Sequence, residues 1–175
     1  TMSALKIAEG LGGNVAVIDT EFKSASLYAD QHSFDVAELE PPFTPQRYID
    51  LIKQAETQYD VLIIDSLSHA WVGAGGCLEM ADKQTANKNK FTAWRNVTPK
   101  YQALVDAILA AKCHVIATIR AKTAYEIVEN SKGKKAPKKI GLAPVQRDGL
   151  EYEFSVVFDQ DMSHQVTVSK DRTNL

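Results

Sequence analysis

The sequence predicts an α/β fold in which helices flank a mostly parallel central sheet. The continuous apolar run Val61–Ile64 and the mostly apolar run Cys113–Ile119 are typical of parallel strands that are buried on both faces. Segments with helical spacing alternate with these strands, and this alternation is typical of a three-layer arrangement. Near the end of the chain, Glu151–Asp159 and His164–Lys170 flank a short polar turn, which predicts a C-terminal β-hairpin.

The N-terminal elements are predicted from helical spacing followed by a glycine stop. A helix begins at Met2, and Gly12-Gly13 ends it in the manner of a C-cap. The short apolar strand Asn14–Ile18 follows and ends in Asp19-Thr20-Glu21. The apolar face predicted for the helix comprises Leu5, Ala8 and Leu11.

Two Thr-Pro pairs predict the starts of two further helices, because threonine is a common N-cap residue and proline fits the first helical turn. The first pair, Thr44-Pro45, precedes a stripe made of Tyr48, Leu51, Ile52 and Ala55. The second pair, Thr98-Pro99, precedes a stripe made of Tyr101, Leu104, Val105, Ile108 and Leu109. Both stripes have the spacing of a helix with one buried face.

Composition excludes several classes of protein. The chain has 175 residues, of which 45% are hydrophobic and 24% charged, as expected of one globular domain. No run of eighteen apolar residues could span a membrane. Two cysteines without CxxC spacing argue against a disulfide framework, and four histidines without ligand spacing argue against a metal cage. We therefore expect a cytoplasmic location.

The charge is unevenly distributed along the chain. The segment 130–147 contains six basic residues and no acidic residue, although the whole chain has a net charge of −2. The remainder therefore carries 14 basic against 22 acidic residues. Glycine and proline within the segment predict a flexible loop. One concentrated basic loop on an acidic body favours a local contact with a polyanion, and the alternative is a merely solvated surface loop.

Polar side chains follow three of the predicted strands, where ligands of open α/β sheets bind. VLIIDS, ending in Asp65-Ser66, is the pattern of a strand whose carboxylate holds the water shell of a nucleotide-bound Mg²⁺. In VIDTE, Glu21 could act as a general base on water. The alternatives are that Asp65 only ends a buried strand and that Glu21 only caps the next segment. Thr118 ends the third strand.

The first residue of the chain is predicted to belong to the same site. A phosphate-binding loop ends in G-K-[ST] and runs directly into a helix, and Thr1 stands where its last hydroxyl would be. We therefore expect residues 1–175 to form a single ATPase core domain that lacks the first strand and the phosphate-binding loop.

Six stretches in this order resemble the phage RecA-like P-loop ATPases, which include phage nucleotide-binding proteins similar to the Sak-type single-strand annealing proteins. The resemblance covers nearly the whole chain. The stretches are TMSALKIAEGL, VAVIDTEFKSASLYAD, VLIIDSLSHAW, HVIATIRAKT, GLAPVQRDGLEYEFSVVFD and VTVSKDRTNL.

The resemblance implies a RecA-like three-layer P-loop NTPase that hydrolyses ATP with Mg²⁺. Thr1 would be the hydroxyl of the phosphate-binding loop and, with Asp65, would hold Mg²⁺ through water. Glu21 would be the catalytic glutamate. Ser66 and Thr118 would belong to the nucleotide site, although Thr118 stands where the RecA relatives carry a γ-phosphate-sensing glutamine, a role that Arg120 or Lys122 could take.

The resemblance also implies partners. Lys170 and Arg172 match basic fingers that reach the nucleotide of an adjacent subunit, so the active form would be a homo-oligomeric ring or filament. Single-stranded DNA would be bound after the sensor strand, and a single-stranded DNA-binding protein is a further candidate partner. The predicted DNA-contacting residues are Lys132, Lys134, Lys135, Lys138, Lys139 and Arg147.

Two other functions stay open at this point. A P-loop kinase acting on a small molecule would need an arginine-rich lid and an acceptor pocket, and neither pattern is visible in the sequence. A non-enzymatic module that binds single-stranded DNA would carry a vestigial nucleotide site, and its sequence before Thr1 would lack a phosphate-binding loop.

Overall fold

The computed structural model describes residues 1–85, 89–129 and 135–173. Its central sheet has four parallel strands in the order β2-β1-β3-β4. The strands are β1 (Val15–Asp19), β2 (Asp35–Glu38), β3 (Val61–Asp65) and β4 (His114–Ala117). The predicted α/β class with a mostly parallel sheet is thereby confirmed. The sequence analysis did not anticipate β2, a mostly exposed strand of four residues at the edge of the sheet.

Five helices accompany the sheet in the described part of the chain. They are α1 (Met2–Leu11), α2 (Pro45–Ala55), α3 (Ser68–Val72), α4 (Cys77–Thr85) and α5 (Lys90–Ala110). None of the described helices is both long and apolar enough to cross a membrane.

The alternation of side chains along β3 builds the three layers. Val61 and Ile63 pack in one core with α1, whereas Leu62 and Ile64 pack in a second core with α2 and α5. Successive side chains of a strand point to opposite faces, so a strand that is apolar at every position must be covered on both sides. The sequence VLII therefore explains why β3 is buried along its whole length.

Three details of the predicted helices are wrong, and one of them is Leu109, which was placed in a buried stripe but is 50% exposed on α5. Leu11 lies outside the buried face of α1 and is 48% exposed, while Ala4 joins Leu5 and Ala8 in the core. The second Thr-Pro pair does not begin a helix, because α5 starts at Lys90 and Pro99 lies inside it. The Asn89 side chain caps this helix by accepting a hydrogen bond from the Thr92 amide at 2.8 Å.

In the part that the structure describes, residues 135–147, the basic segment is not the flexible loop that glycine and proline suggested. Ala121–Glu129 (β5) and Lys135–Pro144 (β6) form a two-stranded antiparallel sheet. A two-stranded ribbon tolerates proline because each strand has an outer edge where no backbone donor is needed. A shift in register between Ala124 and Tyr125 indicates a bulge near Gly141.

The predicted C-terminal hairpin is confirmed with shorter strands. Val156–Gln160 (β7) pairs with Val166–Asp171 (β8). The first predicted strand begins late because Leu150–Tyr152 forms a turn of 3₁₀-helix. At the turn, Asp161 accepts hydrogen bonds from the Ser163 and Gln165 amides at 2.8 and 2.9 Å. The assignment of residues 1–175 to a single domain stays a prediction.

Candidate active site at the strand ends

The parallel register brings the chemically important residues to one edge of the sheet. Asp19 of β1 is the register partner of Asp65 of β3. The amide of Thr20 donates to the Asp65 carbonyl at 2.7 Å, and the amide of Thr118 donates to the Ile64 carbonyl at 2.9 Å. The strand ends predicted from sequence therefore meet, as parallel sheets require.

The Asp65 carboxylate lies between two threonine hydroxyls. Thr1 donates from Oγ1 to Oδ2 of Asp65, and Thr118 donates from Oγ1 to Oδ1 at 2.6 Å. Burial by itself would raise the pKa of Asp65, but the hydrogen bonds from Thr1 and Thr118, together with the charge of the Thr1 amino group, hold the pKa below its usual value. The carboxylate is therefore ionised at neutral pH.

This arrangement fits the donor set of a nucleotide-bound magnesium ion. Mg²⁺ prefers oxygen ligands and is usually held by one or two protein groups together with substrate phosphates and water. The Thr1 hydroxyl and the Asp65 carboxylate supply such oxygens in direct contact with each other. The residues predicted to hold Mg²⁺ are thus adjacent in space, although 64 positions separate them in the chain.

Asp19 shapes the turn that carries Glu21. Its Oδ1 accepts a hydrogen bond from the Glu21 amide at 2.6 Å, and its Oδ2 accepts one from the buried Ala25 amide at 2.8 Å. The next residues, Phe22 and Lys23, have φ angles of 53° and 67°, in the left-handed region that side chains disfavour. Such residues cost roughly 1–3 kcal/mol each and persist where the surroundings fix them. The turn is therefore held by Asp19.

Both carboxylate oxygens of Glu21 have partners. Oε1 accepts hydrogen bonds from Nε of Arg120 and from Oγ of Ser66, each at 2.8 Å, and Oε2 accepts one from Nη2 of Arg120. Burial would raise the pKa of Glu21, but the Arg120 and Ser66 hydrogen bonds and the positive charge of Arg120 lower it overall. Ser66, which the sequence assigned to the nucleotide site, contacts the candidate base.

A buried polar network lies behind this pair. Thr20 Oγ1 is 2.7 Å from Nδ1 of His69, accepts from the Ser66 amide at 2.8 Å and donates to the Ser66 carbonyl at 3.2 Å. Tyr48 donates to the same carbonyl at 3.3 Å. Burial lowers the pKa of His69, which favours the neutral ring. Sequence analysis assigned no role to His69, since a lone histidine carries no spacing signal.

The structure places Lys170 and Arg172 beside the 3₁₀ turn. Lys170 Nζ donates to the carbonyl oxygens of Glu151 and Tyr152, the first at 3.1 Å. Arg172 Nη2 donates to the same Tyr152 carbonyl at 3.1 Å. These contacts belong to the base of the C-terminal hairpin, and the role of both residues in a neighbouring subunit stays a prediction.

Four of the six predicted DNA-contacting residues lie in two regions of the described chain. Lys135, Lys138 and Lys139 lie on β6, where the antiparallel register pairs them with Glu129, Glu126 and Tyr125, respectively. Lys132 and Lys134 lie outside the described residues. The Arg147 guanidinium stacks over the ring of Tyr101 at 5.5 Å from its centroid, so it also has a packing role.

A parallel sheet flanked by helices, with an aspartate and a glutamate at adjacent strand ends, is an α/β architecture consistent with the P-loop NTPase class. The chain belongs to the AAA domain family, whose sequence model matches residues 1–174. Membership indicates an AAA-type nucleotide-binding ATPase and implies a nucleotide, typically with Mg²⁺. Comparisons with curated proteins and with solved structures gave no match.

Proposed function

We propose that this protein is a RecA-like recombination ATPase of phage origin that acts on single-stranded DNA, by annealing or as a recombinase. The observation that carries the proposal is the cluster of Thr1, Asp65 and Thr118 beside Glu21, at one sheet edge of a chain in the AAA domain family. This is where an α/β sheet binds the phosphates of its ligand.

Asp65 and Thr1 would hold Mg²⁺, which supplies charge neutralisation on the nucleotide phosphates. Asp65 is suited to this because its pKa lies below the usual value, so it stays ionised next to a metal cation. Thr118 fixes the second oxygen of Asp65. The carboxylate therefore keeps one orientation without depending on the ligand.

Glu21 acts as the general base in the proposed reaction. Its carboxylate accepts a proton from water while the water oxygen forms a bond to the γ-phosphorus of ATP. The bond between that phosphorus and the bridging oxygen breaks, and ADP leaves with the electron pair. A carboxylate in this role contributes roughly 10²–10⁴-fold to the rate. Ser66, hydrogen-bonded to Glu21, keeps the carboxylate beside Asp65.

The β5–β6 hairpin supports the assignment of single-stranded DNA as the partner. Residues 121–145 contain six lysines and two glutamates, whereas the whole chain has a net charge of −2. Lysines contribute to DNA affinity by neutralising phosphates and releasing counterions. The hairpin follows β4 directly, so a strand bound there would lie close to the ATPase site.

The proposed active form is a homo-oligomeric ring or filament. In it, Lys170 and Arg172 reach the nucleotide of a neighbouring subunit and stabilise the charge that develops on the transferred phosphoryl group. Arg172 is exposed at the end of β8, where such a contact is accessible.

A non-enzymatic module that binds single-stranded DNA is the second candidate. This candidate is favoured by the hydrogen bonds that Arg120 and Ser66 donate to the two oxygens of Glu21. These contacts account for the position of the carboxylate without a role as a general base. The small-molecule kinase has no comparable support in the contacts of the site.

Nucleotide titration of the full-length protein tests the proposal. We expect ATP binding that depends on Mg²⁺, and we expect Asp65→Asn to weaken it by about tenfold or more, since interactions with a charged group contribute about 1.5–3 kcal/mol. Asp82→Asn, an exposed aspartate on α4, is the matched control. If Asp65→Asn bound ATP as tightly as the wild type, the assignment of Asp65 to the nucleotide site would be contradicted. If the wild-type protein bound DNA but no ATP, the non-enzymatic module would be favoured.

A further inference from the structure

Thr20 and Ser66 stand next to the two candidate functional carboxylates, on neighbouring strand ends. Thr20 follows β1 and precedes Glu21, whereas Ser66 follows Asp65 at the end of β3. Thr20 Oγ1 accepts a hydrogen bond from the Ser66 amide at 2.8 Å and lies 3.2 Å from the Ser66 carbonyl oxygen. A single hydroxyl therefore connects the segment that carries the candidate base to the segment that carries the candidate magnesium ligand.

The ring of His69 fixes the orientation of this hydroxyl. Nδ1 of His69 lies 2.7 Å from Thr20 Oγ1, closer than either backbone atom of Ser66. The hydrogen bond forms in both tautomers of the ring, since Nδ1 accepts from the hydroxyl when it carries no proton and donates to it when it does. Thr20 and Ser66 are each 2% exposed and His69 is 8% exposed, so little water competes for these contacts. The position of Thr20 Oγ1 therefore depends on His69.

Close packing holds the His69 ring in one orientation. The ring of Phe43 stacks on it, with the centroids 4.8 Å apart and the planes inclined by 20°. The Gly73 amide donates to the His69 carbonyl at 2.9 Å. A Cβ atom at Gly73 would lie 2.6 Å from that carbonyl oxygen and 2.7 Å from Cδ2 of Phe43, so the space around the ring is filled. Because a ring packed in this way cannot turn without displacing its neighbours, His69 is a rigid support for Thr20.

The Thr20 hydroxyl is connected to Glu21 along two routes. One is the peptide bond between the two residues, and the other is Ser66, whose Oγ donates to Oε1 of Glu21 at 2.8 Å. A general base must lie within hydrogen-bond reach of the water that it activates. A misplacement of about 1 Å caused by a remote substitution can lower a rate by about 10²-fold. A change at His69 is therefore expected to act on the candidate base.

We propose that His69 is a positioning residue that, through the Thr20 hydroxyl, sets the position of Glu21 relative to Asp65 for hydrolysis. This inference rests on the proposed function, and it deepens it by naming a buried residue on which the rate of the chemical step depends. His69 acts through Thr20 and Ser66 and takes no part in the proton transfer itself.

The Asp65 carboxylate is held independently of His69. Its hydrogen bonds come from the hydroxyls of Thr1 and Thr118. Loss of the contact between His69 and Thr20 should therefore lower kcat and leave the affinity for ATP and Mg²⁺ unchanged. A merely structural role of His69 would instead lower the free energy of unfolding without changing kcat of the folded protein.

Steady-state phosphate release and ATP titration of the full-length protein test this inference, with the free energy of unfolding measured for every variant. His69→Asn and His69→Gln are the central pair. The amide of asparagine is separated from Cα by as many bonds as Nδ1 is, so it can still contact Thr20 Oγ1, whereas the amide of glutamine lies one bond further out. Thr20→Val removes the hydroxyl with little change of shape. The matched controls are His114→Gln and Thr167→Val, at exposed positions of β4 and β8.

We expect His69→Gln and Thr20→Val each to lower kcat by about tenfold to a hundredfold at unchanged ATP affinity. His69→Asn should keep most of the wild-type kcat. The double variant of His69→Gln with Thr20→Val should be no slower than the slower single variant, because both substitutions remove the same connection. The two controls should match the wild type.

A wild-type kcat in His69→Gln would overturn the inference, and so would a kcat of His69→Asn as low as that of His69→Gln. If His69→Gln did not fold, Thr20→Val would decide the matter, since a wild-type kcat in that variant contradicts a role of the hydroxyl. A failure of the proposed function itself differs from these results. In that case the wild-type protein would show no turnover, or Glu21→Gln would turn over normally.

Discussion

Asp19 and Asp65 are direct partners in the register of β1 and β3, yet their carboxylates have different tasks. The Asp19 carboxylate accepts hydrogen bonds from two backbone amides and fixes the turn that carries Glu21. The Asp65 carboxylate accepts hydrogen bonds from two threonine hydroxyls, which keep its oxygens at the edge of the sheet. Of the two aspartates at equivalent strand ends, Asp19 therefore has a structural role, whereas Asp65 presents its carboxylate at the site.

Asp19→Ala should destabilise the fold. The amides of Glu21 and Ala25 would lose their acceptors, and a polar group left unsatisfied in the interior costs about 1–3 kcal/mol. Urea denaturation measures this change. The exposed control Asp82→Ala should stay within about 0.5 kcal/mol of the wild type. An Asp19→Ala variant as stable as the control would show that the turn does not depend on this carboxylate.

The lysines of the basic segment should set the salt dependence of DNA binding. Replacing Lys134, Lys135, Lys138 and Lys139 by alanine should weaken binding and flatten the log–log salt slope by roughly 0.7 per phosphate contact, about 3 in total if all four make contact.

Fluorescence anisotropy at several salt concentrations measures both effects. The matched control removes the same charge from other surfaces, by replacing four exposed lysines with alanine: Lys6, Lys53, Lys100 and Lys112. If the salt slope of the first variant were unaltered, or if the control changed it equally, the β5–β6 hairpin would not be part of the DNA site.

His69 should make stability depend on pH in mildly acidic solution. Burial holds the pKa of the folded His69 below the value of about 6.5 that it has in the unfolded chain, although Glu21 and Asp65 act in the opposite direction. The unfolded chain then binds more protons, so stability falls as pH is lowered through the unfolded pKa toward the folded one.

Urea denaturation between pH 7 and pH 5 checks this expectation. His69→Gln should lose less stability over that range than the wild type. His114→Gln, which replaces an exposed histidine at the start of β4, should follow the wild type. If the free energy of unfolding changed equally with pH in all three proteins, His69 would not be held neutral by the fold.

Much of the sheet and its edge could be predicted from local patterns. The runs VLII and VAVI are apolar at every position and each is followed by aspartate, so burial on both faces and a polar end follow from the pattern itself. The positions of Asp65 and Glu21 at the ends of β3 and β1 were predicted in this way. Short β2 was missed because it is an exposed edge strand, and the start of α5 was missed because Thr98-Pro99 has the local character of a helix N-terminus.

The contacts that give the site its character could not be predicted from the sequence. Arg120 and Glu21 are separated by 99 positions, and their pairing depends on where β4 ends relative to the Asp19 turn. The network of Thr20, Ser66 and His69 depends in the same way on the register of strands and on the packing of α3. The β5–β6 hairpin was missed because strand pairing, a non-local interaction, overrode the local preference of glycine and proline.

The central claim is that Glu21 activates water for hydrolysis of a nucleotide held at Asp65. The most direct test is to measure ATP binding and phosphate release of Glu21→Gln in the full-length protein, with Glu40→Gln as an exposed control. We expect unchanged ATP affinity and a loss of turnover of about 10²–10⁴-fold, because glutamine keeps the shape of the side chain but cannot accept the proton. Undiminished turnover in Glu21→Gln would contradict the account.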